Sequence, residues 1–283
     1  MVKDLSIFEQ LEFSTTRITV KSSDNRSWSG TGFFFNLVID PVNSKSVPII
    51  ITNKHVVEGA SELLFNFSKA DEEGNPLYDV PNIVSFGAMN EIIMHPDPDV
   101  DLCGIPFNKI VVALKALQYK SFYRTFDNTL IPTQKQLEEL DAIEDILMIG
   151  YPNGLWDSKH NMPIVRRGIT ATPVWLDYDG KKEFLIDAAC FPGSSGSPVM
   201  ICNLGQFNDK KGNTYIGQTR LFLLGVLHSG PQLTVTGDIR VVNIPDAQIV
   251  PQSVSHIPNN LGYIIRSERI LELVDVAKKK YNL

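Results

Sequence analysis

The chain has 283 residues, a formal net charge of −6, 43% hydrophobic residues and 20% charged residues. This composition is typical of a folded globular protein and excludes a disordered or fibrous chain. The acidic balance argues against a nucleic-acid-binding surface, because phosphate binding needs clustered Lys and Arg.

The sequence shows neither the long apolar run of a membrane span nor the pattern of a secretory signal. The apolar runs, such as 47–51 and 221–227, have the length of strands and are far shorter than the roughly 18 residues of a membrane span. The first residues lack the pattern of a secretory signal, so we expect a cytoplasmic location and no membrane partner. Three cysteines, Cys103, Cys190 and Cys202, cannot all pair within one chain, and we interpret them as reduced thiols.

The first part of the chain, residues 1–115, predicts an N-terminal β-barrel. Short segments rich in Val, Ile, Phe and Thr alternate with clusters of Gly, Pro, Asn and Asp, which is the pattern of an all-β barrel or sandwich. The predicted strands are 17–21, 31–39, 47–52, 62–67, 82–86 and 102–107. These make up about one barrel.

Residues 116–145 predict a linker between two barrels, because 132–144 carries Gln, Glu, Leu and Ile at helical spacing. A second barrel is predicted over 146–266, with a hairpin loop at 205–217. Its strands are 145–150, 164–174, 183–189, 198–202, 221–228 and 262–266. Residues 267–283 predict a helix with Ser267 as its N-cap. The predicted fold is therefore all-β, with two six-stranded antiparallel barrels and a C-terminal helix.

A glycine- and serine-rich segment, FPGSSGSP, occupies positions 191–198. Glycines on both sides of a serine pair permit a tight turn that brings backbone N–H groups close to a bound carbonyl. A serine in such a turn can act as a nucleophile, although a plain turn is the commoner structure for a segment of this kind. A catalytic interpretation therefore needs a base and an acid elsewhere in the chain.

Candidates for the base and the acid lie in the first half. His55 follows the third predicted strand, where an imidazole can stand at the mouth of a cleft, although a histidine hydrogen-bonded at a strand end is the alternative. The acid comes from three aspartates that precede the sixth strand. We favour Asp101 over Asp99, because the apolar Leu102 follows Asp101 as the strand begins.

A metal site is not expected. The aspartates at 97, 99 and 101 lack the spacing of a calcium-binding EF-hand, since position 102 is Leu instead of Gly and position 108 is Asn instead of Glu. The five histidines show none of the close paired spacings that zinc sites have. No metal and no cofactor are therefore predicted.

The motifs together resemble the trypsin-like (chymotrypsin-fold) serine peptidases, in which His, Asp and Ser follow one another in this order. The matching segments are SGTGFF at 29–34, TNKH at 52–55, DLCG at 101–104, IGYP at 149–152, GSSGSP at 193–198 and LGVLHSG at 224–230. The resemblance covers residues 15–266 and is greatest with bacterial members, the glutamyl endopeptidases and the HtrA-type protease domains. It indicates a bacterial protein.

The resemblance implies a role for each motif residue. Ser195 attacks the scissile carbonyl, His55 takes and later returns a proton, and Asp101 orients the imidazole. The backbone N–H groups of Gly193 and Ser195 form the oxyanion hole. Ser194 stands where the digestive enzymes carry an aspartate, so activation through a newly cut N-terminus is not expected.

The resemblance also locates the substrate pocket. The substrate pairs as an extra strand with Ser229 and Gly230, and the pocket is lined by Ala189, Cys190 and His228. Because Ala189 stands where trypsin-like enzymes carry an aspartate, specificity for Arg or Lys is not expected. His228 matches a histidine that receives an acidic side chain in glutamyl endopeptidases, which predicts Glu or Asp before the scissile bond. The alternative is that His228 only bonds a neighbouring carbonyl.

Three functions are compatible with these motifs. The main prediction is a serine endopeptidase that cleaves proteins or peptides, and the others are a catalytically silent scaffold that binds proteins and a hydrolase of esters or thioesters. An endopeptidase inside a cell needs restraint, so we also expect a regulatory protein partner. The candidate partner surfaces are 121–144 and 151–163, with Tyr151 and Trp156 as apolar anchors, although packing in the core is the commoner role of such aromatic residues.

Overall fold

The computed structural model describes residues 4–43, 45–238 and 252–281. The strands are β1 (Thr15–Ser22), β2 (Ser27–Asp40), β3 (Lys45–Thr52), β4 (Ala60–Ala70), β5 (Pro76–Phe86), β6 (Ile93–Met94), β7 (Cys103–Pro106), β8 (Ser121–Phe122), β9 (Phe126–Asp127), β10 (Asp145–Gly150), β11 (Ile164–Thr170), β12 (Glu183–Asp187), β13 (Pro198–Asn203), β14 (Gln206–Asn208), β15 (Thr214–Ile216), β16 (Arg220–Ser229), β17 (Gln232–Asp238), β18 (Gln252–Pro258) and β19 (Leu261–Arg266).

The helices are short. They are α1 (Ile7–Glu12), α2 (Lys54–Val57), α3 (Phe107–Ala116), α4 (Gln134–Glu138), α5 (Glu268–Leu271) and α6 (Leu273–Tyr281). No helix of the described residues is long and apolar enough to cross a membrane.

The N-terminal half forms one sheet in the order β5-β4-β1-β2-β3-β7-β6, with β8 paired to β4 and β9 paired to β2. It has nine strands instead of the six predicted for the first barrel. The difference arises partly because the chain after α3, predicted as linker, returns to this sheet: Ser68 pairs with Phe122, and Phe35 pairs in parallel with Phe126. Strand β6, with only two residues, was also not predicted.

The C-terminal half contains the predicted six-stranded barrel, closed in the order β10-β11-β12-β19-β16-β13. Its interior is filled by apolar side chains such as Met148, Phe184, Val199 and Leu224. The predicted hairpin loop at 205–217 contains the paired strands β14 and β15. Strands β17 and β18 pair with each other outside the barrel.

Strand β2 shows how the two halves meet. Phe33, Phe34 and Phe35 are all buried, although successive side chains of a strand point to opposite faces. Phe34 packs in the core of the N-terminal sheet, whereas Phe33 and Phe35 belong to a cluster that includes Ile149 and other residues of the second half. We call this contact between the N-terminal sheet and the C-terminal barrel the seam.

The C-terminal segment differs in detail from the predicted helix. It consists of two helices, α5 and α6, and the side chain of Ser267 makes no capping hydrogen bond, because this residue already has helical backbone angles (φ −62°, ψ −24°). Ser267 thus occupies the predicted N-cap position before α5, without the hydrogen bond that a capping side chain would make. Ile270, Leu273 and Ala277 are fully buried in the cluster at the seam, which attaches the segment to both halves.

Helices of the first half were not predicted, and the linker helix is shorter than predicted. Helix α1 begins with a capping box formed by Ser6 and Glu9. Helix α3 follows β7 directly and buries Phe107, Ile110 and Leu114 on one face. The helical spacing at 132–144 yields only α4, Gln134–Glu138.

Candidate active site

His55 and Asp101 lie side by side because their strands are paired. Strand β3 ends at Thr52 opposite Cys103 of β7, so the residues that follow β3 lie next to those that precede β7. The ring Nδ1 of His55 is 2.5 Å from Oδ2 of Asp101, and the backbone N–H of His55 donates to Oδ1 over 3.0 Å. A carboxylate that accepts from Nδ1 leaves Nε2 of the imidazole as the acceptor, which is the form that a general base needs.

The Asp101 carboxylate is stabilised in its ionised form. Burial raises the pKa of this group, but the hydrogen bonds from the His55 ring and the His55 amide outweigh burial and bring the pKa below its usual value. Its backbone is held as well, because Asn53 donates from Nδ2 to the Asp101 carbonyl over 2.7 Å. The pair is therefore fixed from both the side chain and the main chain.

The two other aspartates of this loop have different surroundings. The carboxylate of Asp97 forms an ion pair with Arg269 of α5 at 2.8 Å, and its carbonyl accepts a hydrogen bond from Lys54. Asp99 is exposed and donates its backbone N–H to Asp97. The structure thus brings Asp101, and not Asp99, to the imidazole.

The glycine-serine loop, residues 191–197, takes its shape from two glycines with left-handed backbone angles. Gly193 has φ +87° and Gly196 has φ +88°. A Cβ atom on Gly196 would lie 1.9 Å from the carbonyl oxygen of Thr31, so no other residue fits there. This turn presents Ser195, whose hydroxyl donates to the His228 carbonyl over 3.3 Å.

His55 and Ser195 line one cleft of about 240 Å³. Its other lining residues are Cys190, Phe191, Pro192, Leu227, His228, Ser229, Gly230, Pro231 and Leu261. Four of the five predicted substrate-binding residues are therefore at the cleft. Ala189 is not among the described residues that line the cleft. The structure therefore does not support the prediction that Ala189 is a pocket residue.

His228 has a partner that sequence analysis missed. Its ring Nε2 is buried and lies 3.5 Å from Oε1 of Glu183, while Nδ1 is 3.2 Å from the Ser229 hydroxyl. The neighbouring His228 ring lowers the pKa of Glu183 despite the burial of that carboxyl. In the barrel β19 separates β12 from β16, so no sequence spacing indicates this contact.

The loop after β10 connects the cleft with the N-terminal sheet. The backbone N–H of Asn153 donates to the Pro192 carbonyl over 2.5 Å. Trp156 in the same loop packs under the guanidinium of Arg17, which lies 4.3 Å from the ring centroid. Tyr151 is only 1% exposed, and burial raises its pKa to about 12. The prediction of Tyr151 as an anchor for a partner protein is therefore wrong, because its ring is part of the interior.

The three cysteines are unpaired in the structure. Cys103 and Cys190 are buried, and burial raises the pKa of Cys190 to about 11 and that of Cys103 further. A thiol with a raised pKa is a poor nucleophile at neutral pH, so neither cysteine is suited to that role. The described residues contain no group of three or more side chains that could hold a metal ion.

Solved structures similar to this chain have low sequence identity. The HtrA-type protease AlgW with a tripeptide is 16% identical, with a TM-score of 0.44 over 92% of this chain and 58% of its own. The MamO protease domain from Magnetospirillum magneticum in its apo form is 12% identical, with a TM-score of 0.44 over 94% and 97% of the two chains. HL collagenase is 12% identical, with a TM-score of 0.49 over 100% and 99%. This chain thus spans less than two thirds of the AlgW chain.

Comparison with curated proteins finds no match. Comparison with family models finds the trypsin-like peptidase domain, which matches residues 30–207. This range is more than half of the chain and includes His55, Asp101 and Ser195. The chain therefore belongs to the trypsin-like peptidase family.

Proposed function

We propose that this peptidase is a serine endopeptidase whose catalytic residues are His55, Asp101 and Ser195. The observation that carries the proposal is that the His55 imidazole, held by the Asp101 carboxylate at 2.5 Å, lines the same cleft as the Ser195 hydroxyl. The three residues come from different loops on the two sides of the seam. A role in packing does not explain why His55 and Ser195 meet in an open cleft.

In the proposed reaction Ser195 Oγ forms a bond to the scissile carbonyl carbon while His55 Nε2 takes the hydroxyl proton. The C–N bond then breaks, and the imidazolium gives its proton to the leaving amine. Water, deprotonated by His55, releases the acyl group and restores the Ser195 hydroxyl. Asp101 keeps its negative charge throughout and stabilises the imidazolium.

The backbone N–H groups of Gly193 and Ser195 are proposed to stabilise the oxyanion. Neither group donates a hydrogen bond within the described part of the chain. The preceding carbonyl, that of Pro192, is engaged by Asn153. Both N–H groups are thus available for a negative oxygen at the reacting carbon, and losing one such donor typically costs on the order of 10²-fold in rate.

We further propose that the cleft prefers Glu or Asp before the scissile bond. His228 lines the cleft, and the guanidinium of Arg166 lies 5.1 Å from the ring centroid of Phe191, another lining residue. A cation close to the cleft wall favours a negatively charged substrate side chain. Glu183 acts against this preference, because its carboxylate competes for His228.

A peptide library tests the specificity. We expect acidic residues to be enriched directly before the cleaved bond, and we expect His228→Ala to remove the enrichment while other positions keep their profile. If the wild-type enzyme shows no acidic enrichment, or if His228→Ala leaves it intact, the specificity proposal is wrong and the peptidase proposal stands.

Two serine variants test the mechanism. Ser195→Ala is expected to lower turnover of a cleaved peptide by roughly 10⁶-fold, because it removes the nucleophile. Ser194→Ala is the matched control, since the adjacent Ser194 hydroxyl is buried without a hydrogen-bond partner and its loss should leave kcat within about twofold of the wild type. Wild-type turnover that persists in Ser195→Ala, or turnover abolished by Ser194→Ala, would contradict the assignment.

A further inference from the structure

We infer that Thr31, in the N-terminal sheet, is a positioning residue for the oxyanion hole in the C-terminal half. The inference rests on the proposed serine peptidase function. Thr31 is fully buried in β2, and it approaches the glycine-serine loop across the seam.

Thr31 makes four hydrogen bonds on this side of β2. Its N–H donates to the Ser195 carbonyl over 2.9 Å, and its hydroxyl donates to the Gly193 carbonyl over 2.9 Å. The hydroxyl oxygen also accepts from the Tyr151 N–H at 3.1 Å, and the Thr31 carbonyl accepts from the Thr52 hydroxyl at 2.7 Å. Every polar atom of Thr31 is therefore engaged.

The strand register explains why the loop can bind here. The described pairing of β2 with β3 begins at Phe33 opposite Ile51, so Thr31 lies beyond the end of that ladder. Its main-chain N–H on this edge therefore has no partner in β3. The glycine-serine loop takes the place of β3, and Gly196 allows the close approach.

The two carbonyls that Thr31 binds flank the proposed oxyanion donor. The Gly193 carbonyl belongs to the peptide group before the Ser194–Ser195 peptide, and the Ser195 carbonyl belongs to the peptide group after it. Fixing both neighbours limits rotation of the peptide between them, whose N–H is the Ser195 donor. Thr31 therefore controls the direction of that N–H.

Of the serine hydroxyls in the loop, that of Ser195 donates to the His228 carbonyl outside the loop. The hydroxyls of Ser194 and Ser197 are buried and have no hydrogen-bond partner in the described structure. The loop is also held from outside by Thr31, by the N–H of Asn153 and by the main chain of Leu227, whose carbonyl accepts from the Gly196 N–H. The bond from the Thr31 hydroxyl to the Gly193 carbonyl is made by a side chain, so a substitution can remove it.

Thr31→Val tests the inference, because valine keeps the shape of threonine and removes the hydroxyl. We expect kcat to fall by about 10- to 100-fold with KM within about twofold, since a misdirected donor weakens binding of the transition state and not of the substrate. A peptide boronate, which mimics the tetrahedral state, should bind more weakly by a similar factor. Thr31→Ser restores the hydroxyl and should recover most of kcat.

Thr170→Val is the matched control. The Thr170 hydroxyl is also buried, donates to the Ala142 carbonyl and accepts from the Glu144 N–H, but it lies away from the cleft. The control should lose thermal stability to a similar extent and keep the wild-type kcat. Equal losses of kcat in Thr31→Val and Thr170→Val, or no loss in Thr31→Val, would overturn the inference.

Amide hydrogen exchange separates this inference from the proposed function, because it needs no turnover. Thr31→Val is expected to speed exchange in the peptide that covers 191–197, whereas Thr170→Val leaves this peptide unchanged. Unchanged exchange in Thr31→Val would refute the positioning role even in an active enzyme. A wild-type protein that neither cleaves peptides nor binds the boronate would instead refute the proposed function.

Discussion

The two halves of the molecule build their parts of the cleft by different means. In the N-terminal half, side-chain contacts position the residues, above all the bonds between Asp101 and His55. In the C-terminal half, the backbone positions them, through the left-handed angles of Gly193 and Gly196 and hydrogen bonds between main-chain groups. The position of His55 therefore depends on which side chains surround it, whereas the position of Ser195 depends on the conformation of the loop backbone.

The largest effect is expected from Gly196→Ala, which disturbs the backbone conformation of the glycine-serine loop in the C-terminal half. Its Cβ would lie 1.9 Å from the Thr31 carbonyl, and the φ angle of +88° is unfavourable for alanine. We expect the variant to lose all measurable turnover and to unfold at a lower temperature, as measured by peptide cleavage and calorimetry.

Gly205→Ala is the control for Gly196→Ala. Gly205 also has a left-handed angle, φ +78°, but no atom lies within 4 Å of the position that a Cβ would take there. Alanine here meets only the backbone strain and should cost about 1 kcal/mol in the free energy of unfolding, with turnover retained. Equal behaviour of the two variants would show that crowding against Thr31 is unimportant.

Asp101→Asn tests the claim that side-chain contacts position His55 in the N-terminal half. The amide keeps the size of the carboxylate but cannot stabilise the imidazolium or hold the ring in the same tautomer, so kcat should fall about 10⁴-fold. Asp99→Asn is the control on the same loop and should leave kcat unchanged. A larger loss in Asp99→Asn than in Asp101→Asn would reverse the assignment of the acid.

The stability of the protein should depend on pH through the same carboxylate. The pKa of Asp101 lies below its usual value of about 4, so its stabilising contribution is present above that value and is lost as pH falls through the lower value in the folded protein. Urea unfolding of the wild type and of Asp101→Asn at pH 6 and pH 3 measures this. The advantage of the wild type should be smaller at pH 3 than at pH 6, and a constant difference would contradict the account.

The smallest effect is expected where the C-terminal segment contacts the aspartate loop. Arg269→Met removes the ion pairs with Asp97 and Glu272, and it should lower the unfolding temperature slightly and kcat by a few-fold, because the loop also carries Asp101. Arg167→Met removes an exposed ion pair with Asp145, far from the cleft, and should change neither quantity measurably. A kcat unchanged in Arg269→Met would show that the loop holds Asp101 without the helix.

Much of the fold could be predicted, because long strands carry their own signal. The runs of Val, Ile, Leu and Phe in β2, β3 and β16 are apolar enough to predict strands without knowledge of their partners. The two-residue strands β8 and β9 are different, since they are strands only through pairing with β4 and β2. Helix α1, although not predicted, carries a local signal in the capping box of Ser6 and Glu9.

Some features of the cleft could likewise be predicted from local sequence, whereas others depend on contacts between distant residues. The segments around His55 and Ser195 could be found because glycine, serine and histidine stand out between apolar strands, and the structure brings both residues to one cleft. Their catalytic roles remain predictions. The contacts of Thr31 with Gly193 and of Glu183 with His228 could not be predicted, because they depend on tertiary pairing between residues 162 and 45 positions apart.

Covalent labelling tests the central claim most directly. The intact protein is treated with a fluorophosphonate, which reacts with an activated serine, and the modified residue is located by peptide mass spectrometry. We expect one adduct, at Ser195, that is lost in Ser195→Ala and strongly slowed in His55→Ala. No adduct on the wild-type protein, or an adduct at another serine that persists in Ser195→Ala, would contradict the claim that these three residues form one catalytic site.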